Sequence, residues 1–387
     1  MDAADELICL GHDEELGERH GAILPPIVQA SLFAQPSFAA LAEKQAKEHL
    51  EYVYSRGLNP TVHALEKKLA ALERAETAKC FASGQGAISA VFYALLESGD
   101  HVLFANQIYG PALQLAKHME RFGVRHDHLP AGGTAAILAA LRPETRMLYV
   151  ESPGTMLFRQ LDLEALASAA HERGILAVID NTWATPLFQK PLTLGFDLTI
   201  HSLSKYVGGH SDVIGGMVAG NEELLEKIFY GAFMLNGAAP GPHDAYLLVR
   251  GLRTLPLRLK QHQADGLAVA RWLATRPEVG KVFHPALLEE DRELGARQLM
   301  GYGSLFSFTL EGADHAAIVR FIDALRYFRI GVSWGGVESL VISPSREGNE
   351  AALHRAGLPP GLVRLSVGLE GAALLIADLE QALGRYR

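Results

Sequence analysis

The chain has 387 residues, with 35 Lys and Arg against 44 Asp and Glu, and a formal net charge of −9 when His is neutral. Its 49% apolar and 20% charged residues exclude intrinsic disorder, and no apolar run reaches the ~18 residues of a membrane span. The acidic balance disfavours a nucleic-acid partner. Its two cysteines, Cys9 and Cys80, argue against a disulfide scaffold. Acidic residues stand where a signal peptide would be basic, so we expect a cytoplasmic protein.

In the first two thirds of the chain, the sequence pattern predicts an irregular arm followed by a parallel sheet. Residues 1–60 contain four prolines and predict an irregular arm, after which Thr61 predicts a helix N-cap. Short apolar runs then alternate with helix-like stretches such as residues 111–122 and 163–173. The runs occupy residues 101–105, 146–150, 176–179, 198–200 and 217–219. This alternation predicts βαβ units, and the continuously apolar runs predict a mainly parallel sheet with both faces covered.

In the last third of the chain, the sequence predicts a different arrangement of helices and strands. Residues 225–275 predict helices with a break near residues 237–242, and an α+β pattern follows from about residue 280. The predicted elements there are a strand at 304–310, a helix at 316–325, a strand at 362–368 and a helix at 372–383. We therefore predict an α/β protein in three parts. They are an arm at 1–60, a large domain at 61–250 and a smaller C-terminal domain at 251–387.

Lys205 lies between small hydroxyl residues just after the apolar run at 198–200. One interpretation is a solvent-exposed loop lysine, and the other is a lysine that forms a Schiff base. Lysine suits the second role because desolvation lowers its pKa, whereas arginine stays charged. In that case the hydroxyls of Ser202 and Ser204 would donate to a neighbouring anion.

Asp180 ends the apolar run at 176–179, where the carboxyl ends of parallel strands open into a crevice. Alone, Asp180 would better fit a turn or a helix cap, but Lys205 follows the next predicted strand, which favours a shared site. Pyridoxal phosphate needs both groups, a lysine for its aldehyde and a carboxylate near its ring nitrogen. Residues 82–87 form a glycine-rich turn before a helix, which predicts either simple helix capping or a phosphate cradle of backbone N–H groups.

Four further residues each have two interpretations. Tyr109 is either a packed surface aromatic or a ring stacked on a planar cofactor. Arg364 lies inside an apolar strand, which predicts either an internal salt bridge or bidentate binding of a substrate carboxylate. Tyr54 and Arg56 belong either to an exposed loop or to an arm that reaches a neighbouring subunit.

The sixteen histidines show no zinc-type spacing, so we predict no metal.

Five segments together resemble the Cys/Met-metabolism family of pyridoxal-phosphate enzymes, which includes the cystathionine lyases and synthases. They are residues 54–61, 180–184, 204–212, 333–340 and 364–370. The resemblance covers nearly the whole chain. It implies the type I aminotransferase-like fold of PLP-dependent transferases, pyridoxal 5'-phosphate as cofactor, a small sulfur amino acid as substrate and a homotetramer built from two catalytic dimers.

The resemblance also implies a role for each candidate residue. Lys205 and Tyr109 would be catalytic, with Lys205 holding the cofactor, Tyr109 stacked on its ring and Asp180 at its pyridinium nitrogen. The implied phosphate ligands are Gly84, Gln85, Ser202, Ser204 and, from the adjacent subunit, Tyr54 and Arg56. The implied substrate-binding residues are Arg364, which would bind the α-carboxylate, together with Ser333, Trp334 and Tyr54.

Three features favour one branch of that family. Trp334 resembles the bacterial cystathionine β-lyases, since γ-acting members usually have leucine there. Val332 stands where γ-acting members commonly have an acidic residue, and residues 151–155 also resemble the β-lyases. Residues 59–61, by contrast, are common in γ-synthases and γ-lyases.

The sequence thus predicts a carbon–sulfur β-lyase that converts cystathionine, or a related sulfur amino acid, to homocysteine, pyruvate and ammonia. A cystathionine γ-lyase or γ-synthase is the alternative. A non-catalytic ligand-binding protein of the same fold is less favoured, because a binding protein needs no lysine of this kind.

Overall fold

The computed structural model describes Glu6, Leu10 and residues 21–386. The remaining terminal residues lie outside the described part, among them Cys9, the acidic residues Asp2 and Asp5, and most of the first third of the predicted arm.

Seven strands form the first sheet, in the order β1-β7-β6-β5-β4-β2-β3. Their bounds are β1 Thr77–Phe81, β2 His101–Ala105, β3 Arg125–Leu129, β4 Thr145–Glu151, β5 Leu176–Asp180, β6 Leu198–Ser202 and β7 Gly216–Gly220. The four strand pairs β3–β2, β2–β4, β4–β5 and β5–β6 are parallel. Strand β7 runs antiparallel to both of its neighbours, β1 and β6. The prediction of a mainly parallel sheet is confirmed.

Helices cover both faces of this sheet. Alternate residues of β2 enter two different hydrophobic clusters, Val102 and Phe104 on one face and Leu103 and Ala105 on the other. The first helices are α1 Phe38–Gln45, α2 Pro60–Glu73, α3 Gly84–Leu95, α4 Gly110–Met119, α5 Gly133–Ala140, α6 Leu163–His171 and α7 Thr185–Phe188. Burial on both faces explains why the strand sequences are apolar throughout.

Five strands form the second sheet, in the order β10-β11-β12-β9-β8. They are β8 Val279–Phe283, β9 Leu305–Leu310, β10 Arg329–Ile330, β11 Leu340–Ile342 and β12 Leu362–Ser366. The helices α8 Glu222–Ile228 and α9 Met234–Asn236 follow β7 and pack with the first sheet. The remaining helices are α10 Pro242–Leu273, α11 Arg292–Gln298, α12 His315–Ala324, α13 Glu350–Arg355 and α14 Ala372–Leu383. Phe321 and Leu375, from α12 and α14, pack with Phe306 of β9 in one core.

The helix α10 joins the two cores. Leu248 and Leu252 pack in the cluster that holds α2 and β1, whereas Val269 and Leu273 pack with the second sheet. The predicted domain boundary after residue 250 falls inside this helix. The three predicted domain ranges stay predictions.

The arm and the start of α2 differ from expectation. The helix α1 lies within the arm that we predicted to be irregular. Asn59, not Thr61, caps α2, because the Asn59 side chain accepts the Thr61 N–H at 2.9 Å. The Thr61 hydroxyl instead accepts the Val28 N–H and donates to the Pro26 carbonyl, which ties the arm to α2.

Two strands of the first sheet, β1 and β3, were not predicted from the sequence, nor were β8, β10 and β11 of the second sheet. β1 contains Lys79, which interrupts its apolar pattern, and β3 is the polar edge strand Arg125–Leu129. Cys80 in β1 is 1% exposed, and burial together with Glu66 raises the pKa of its thiol well above the usual value. This environment is typical of an unreactive thiol.

Among the described helices, none has the length and apolar composition that crossing a bilayer requires.

Candidate active site

A cavity of about 840 Å³ opens at the carboxyl edge of the first sheet. Glu151, Asp180 and Ser202 are the last residues of β4, β5 and β6, and all three line this cavity. Lys205 follows β6 by three residues, and Arg364 reaches the cavity from β12 of the second sheet. Carboxyl ends of parallel strands form a crevice of this kind, where ligands bind.

The cavity brings together ten of the twelve residues that the sequence singled out. They are Gly84, Gln85, Tyr109, Asp180, Ser202, Ser204, Lys205, Ser333, Trp334 and Arg364. Tyr54 and Arg56 lie outside the cavity lining of this single chain. Tyr54 is 46% exposed, and the Arg56 guanidinium lies 5.9 Å from the centre of its ring. Their predicted reach into a neighbouring subunit stays a prediction.

Lys205 has few polar contacts. Its Nζ donates to the Ser333 hydroxyl at 2.9 Å and lies 5.8 Å from the centre of the Trp334 ring. Burial lowers the pKa of Lys205, and the nearby positive charge of Arg364 adds to that effect against the opposing charge of Asp180. A lowered pKa increases the share of neutral amine, which is the form that acts as a nucleophile or base.

Asp180 is held by Thr182, a residue that the sequence analysis did not assign to the site. One Asp180 oxygen accepts both the N–H and the hydroxyl of Thr182, and Thr182 Oγ1 accepts the Ser202 N–H at 2.8 Å. Burial raises the pKa of Asp180, whereas these hydrogen bonds and the charges of His201 and Lys205 oppose the rise. An N–H donor placed in the cavity would stabilise the charged form of this carboxyl.

Glu151 is the second residue that the sequence analysis missed. The register of β4 and β5 places it beside Asp180, and its Oε1 accepts the backbone N–H of Tyr109 at 2.6 Å. Burial and the charge of Asp180 raise the pKa of Glu151 well above its usual range, against the effect of Arg364. The available signal was the one used for Asp180, since Glu151 also follows an apolar run.

We expect Glu151→Gln to stabilise the cofactor-free protein more at pH 8 than at pH 5. A carboxyl whose pKa is raised by folding stabilises the fold only while it is protonated. That contribution fades between its unfolded and folded pKa, with a slope of up to about 1.4 kcal/mol per pH unit. Glutamine stays neutral and keeps an acceptor for the Tyr109 N–H.

Urea unfolding of both proteins at the two pH values measures this effect. The exposed Glu350 supplies the control variant Glu350→Gln, which should change stability equally at both pH values. An equal effect of Glu151→Gln at pH 5 and pH 8 would contradict the assignment of a raised pKa to Glu151.

The helix α3 points its N-terminus at the cavity. Ser83 caps this helix by accepting the Gly86 N–H at 3.0 Å, which leaves the N–H groups of Gly84 and Gln85 without partners inside the helix. A Cβ on Gly84 would lie 3.0 Å from the Cβ of Ser202, so glycine permits the close approach of helix and strand. The site fits an anion such as a phosphate.

Two other cavity residues differ in how they are engaged. The Ser204 hydroxyl accepts the Gly215 N–H at 3.0 Å, so it is already tied to the following loop. Burial raises the pKa of Tyr109, and the charges of Asp180 and Glu151 add to the rise. The Tyr109 phenol therefore keeps its proton at neutral pH and can donate it.

Arg364 is half-buried, with a buried Nε, and has no ion pair to any described residue. Its Nε has no hydrogen-bond partner in the described structure, and its Nη1 lies 3.9 Å from the sulfur of Met156. Burial lowers its pKa to about 10, against the effect of Glu151. A planar guanidinium with free donors suits a ligand carboxylate, whereas the internal salt bridge of the alternative interpretation is not seen.

The cavity thus fits pyridoxal phosphate on its own chemistry. It offers an amine for an aldehyde, a buried carboxyl for a ring nitrogen and a helix N-terminus for a phosphate. Within the described residues, no group of three or more His, Cys, Asp or Glu side chains could hold a metal ion.

Comparison with known proteins gives a consistent result. A family model described as Cys/Met metabolism PLP-dependent enzyme matches residues 7–384. The chain is 40% identical over 376 residues to an L-methionine gamma-lyase of Pseudomonas deceptionensis, covering 95% of this chain and 94% of that protein. It is 37% identical to a cystathionine beta-lyase of Lactococcus lactis subsp. cremoris over 372 residues, 94% of each chain.

A solved structure shares the fold. It is the cystathionine gamma synthase of Xanthomonas oryzae pv. oryzae in complex with aminoacrylate and cysteine. The TM-score is 0.90 at 36% identity, and the match covers 100% of this chain and 98% of that one.

Proposed function

The chain belongs to the Cys/Met metabolism PLP-dependent enzyme family, and from this premise we propose that it is a carbon–sulfur β-lyase. Its substrate would be cystathionine or a related sulfur amino acid, and its products from cystathionine would be homocysteine, pyruvate and ammonia. The observation that carries the proposal is the position of Lys205, whose desolvated amine lies in one cavity with Asp180 and Arg364 and beside the Trp334 ring.

Each residue has a defined task in this proposal. Arg364 binds the substrate α-carboxylate with two parallel hydrogen bonds, which orients Cα toward Lys205. Lys205 removes the Cα proton, and a positioned base of this kind contributes typically about 10²–10⁴-fold. When bound, pyridoxal phosphate supplies an electron sink for the charge that develops at Cα. The thiolate leaves from Cβ and takes a proton from Lys205 or from Tyr109.

Two features support elimination at Cβ. The Trp334 indole occupies the space beside the Lys205 amine and packs edge-on against the Tyr206 ring at 5.4 Å. Val332, also in the cavity wall, is apolar and stands at the position where γ-acting members commonly have an acidic residue. The related gamma synthase binds aminoacrylate, the species that remains after a β-substituent leaves an amino acid. A site of this fold therefore accommodates the product of β-elimination.

A γ-elimination is the second candidate, and the relatives favour it. The methionine gamma-lyase is 40% identical to this chain, whereas the cystathionine beta-lyase is 37% identical. Both reactions begin with proton removal at Cα, so Lys205, Asp180 and Arg364 would serve either one.

We also propose a homotetramer in which Tyr54 and Arg56 reach the phosphate of the adjacent subunit.

We expect cystathionine to yield pyruvate and homocysteine, with pyruvate exceeding 2-oxobutyrate at least about tenfold, equivalent to ~1.4 kcal/mol in activation free energy. The measurement is mass-spectrometric identification of the keto acid after incubation with the cofactor-saturated protein. Lys205→Ala serves as the inactive control. Predominant 2-oxobutyrate with cysteine, or methanethiol release from methionine at a comparable rate, would instead establish the γ-acting alternative.

A further inference from the structure

The proposed reaction leaves one buried cavity residue without a task. Glu151 is 7% exposed and lines the cavity, yet it neither abstracts a proton nor binds substrate in that scheme. The Arg364 charge lowers the pKa of Glu151 without forming an ion pair, since the guanidinium has no carboxylate within 4 Å among the described residues. Its close contacts point in another direction, toward the loop that carries Tyr109.

Glu151 fastens the loop of residues 106–109 at two points. The Asn106 side chain, at one end of the loop, donates to the Glu151 backbone carbonyl at 2.8 Å. The Tyr109 N–H, at the other end, donates to the Glu151 side chain at 2.6 Å. This loop connects β2 to α4, so both of its ends are held by the last residue of the adjacent strand β4.

The Tyr109 end of the loop needs this support. Tyr109 occupies the N-cap position of α4, and no side chain caps that helix. Asn106 adopts a left-handed backbone conformation with φ of 77°, which a non-glycine residue adopts only when its surroundings hold it. Without Glu151 Oε1, the Tyr109 N–H would lose its acceptor in the cavity wall.

We propose that Glu151 is a positioning residue that holds the Tyr109 ring against the bound cofactor by anchoring the 106–109 loop to the end of β4. This inference rests on the proposed stacking of Tyr109 on the cofactor. The interaction needs an acceptor oxygen and not a charge, because Asp180 lies beside Glu151 in the sheet and disfavours a second carboxylate.

A double-mutant cycle on cofactor affinity tests the proposal. Pyridoxal phosphate is titrated into the cofactor-free wild type, Glu151→Ala, Glu151→Gln, Tyr109→Ala and the double variant Glu151→Ala with Tyr109→Ala. We expect Glu151→Ala to raise the cofactor Kd about 10-fold, the cost of a partly buried N–H that loses its acceptor, and Glu151→Gln to raise it less than about 3-fold. In the Tyr109→Ala background, Glu151→Ala should change the Kd less than about 2-fold, because coupled residues do not act additively.

Visible circular dichroism of the bound cofactor gives a second readout, since it reports how the ring is held. Glu151→Ala should weaken this signal and Glu151→Gln should preserve it. If Glu151→Ala does not fold, Glu151→Asp replaces it in the same cycle, because a side chain one methylene shorter also withdraws the acceptor.

Two results would overturn the inference, and they are distinguishable. A 10-fold loss from Glu151→Ala that persists in the Tyr109→Ala background would show that Glu151 acts through another route. A Tyr109→Ala variant with unchanged cofactor affinity would instead remove the proposed stacking of Tyr109, on which the inference rests.

Discussion

Lys205→Ala is expected to lower the rate of keto-acid formation by at least about 1,000-fold, because the base that takes the Cα proton is lost. The same change should abolish the yellow absorbance of the purified protein, since no other lysine of the described residues lines the cavity. The structure explains why this lysine suits the task. Burial and Arg364 lower its pKa, and Ser333 orients its amine at 2.9 Å.

The measurements are the visible spectrum and single-turnover kinetics of the variant with added cofactor. Lys205→Arg is the matched variant, because arginine keeps the positive charge but does not release its proton. We expect it to be as inactive as alanine, which separates proton transfer from charge. Replacement of the exposed Lys260 by alanine controls for the loss of a lysine elsewhere. An unchanged spectrum for Lys205→Ala would refute the assignment of this residue.

Arg364→Met is expected to reduce kcat/KM by about 30- to 1,000-fold, the equivalent of ~2–4 kcal/mol for a buried charge-assisted contact. The same substitution should raise the stability of the cofactor-free protein. The two effects have opposite signs because the guanidinium is buried without an ion pair and with an unpaired Nε until a carboxylate arrives. An apolar side chain of similar length removes that desolvation cost.

Keto-acid kinetics and urea unfolding test the two halves of this prediction. Arg364→Lys keeps a charge but loses the planar pair of donors, so its kcat/KM should fall between those of the wild type and Arg364→Met. A substrate whose α-carboxylate is replaced by a carboxamide should be discriminated against by the wild type and not by Arg364→Met. An unchanged KM, or equal discrimination by both proteins, would show that Arg364 binds something else.

The link between Asp180 and Lys205 follows from local sequence. Each follows an apolar run, and the carboxyl ends of parallel strands meet at one edge of a sheet, so sequence order alone brings them to one crevice. The glycine-rich turn of residues 82–87 was singled out in the same local way, since such a turn before a helix exposes backbone N–H groups, and it lies at this cavity. These residues could be placed at one cavity from sequence because each placement depends on a residue and its immediate neighbours.

Only the tertiary structure shows which partners each of these side chains has. The sequence left open whether Arg364 forms an internal salt bridge or is available to bind a ligand carboxylate, because its partners come from other elements. In the described chain no carboxylate is placed to pair with it. The contact of Glu151 with Tyr109 spans 42 residues, and that of Thr182 with Ser202 spans 20. Hydrogen bonds of this kind leave no local periodicity, since they depend on register between strands and on burial. Local sequence indicated most of the groups that reach the cavity, whereas strand register and burial determined their hydrogen-bond partners and the directions in which their pKa values shift.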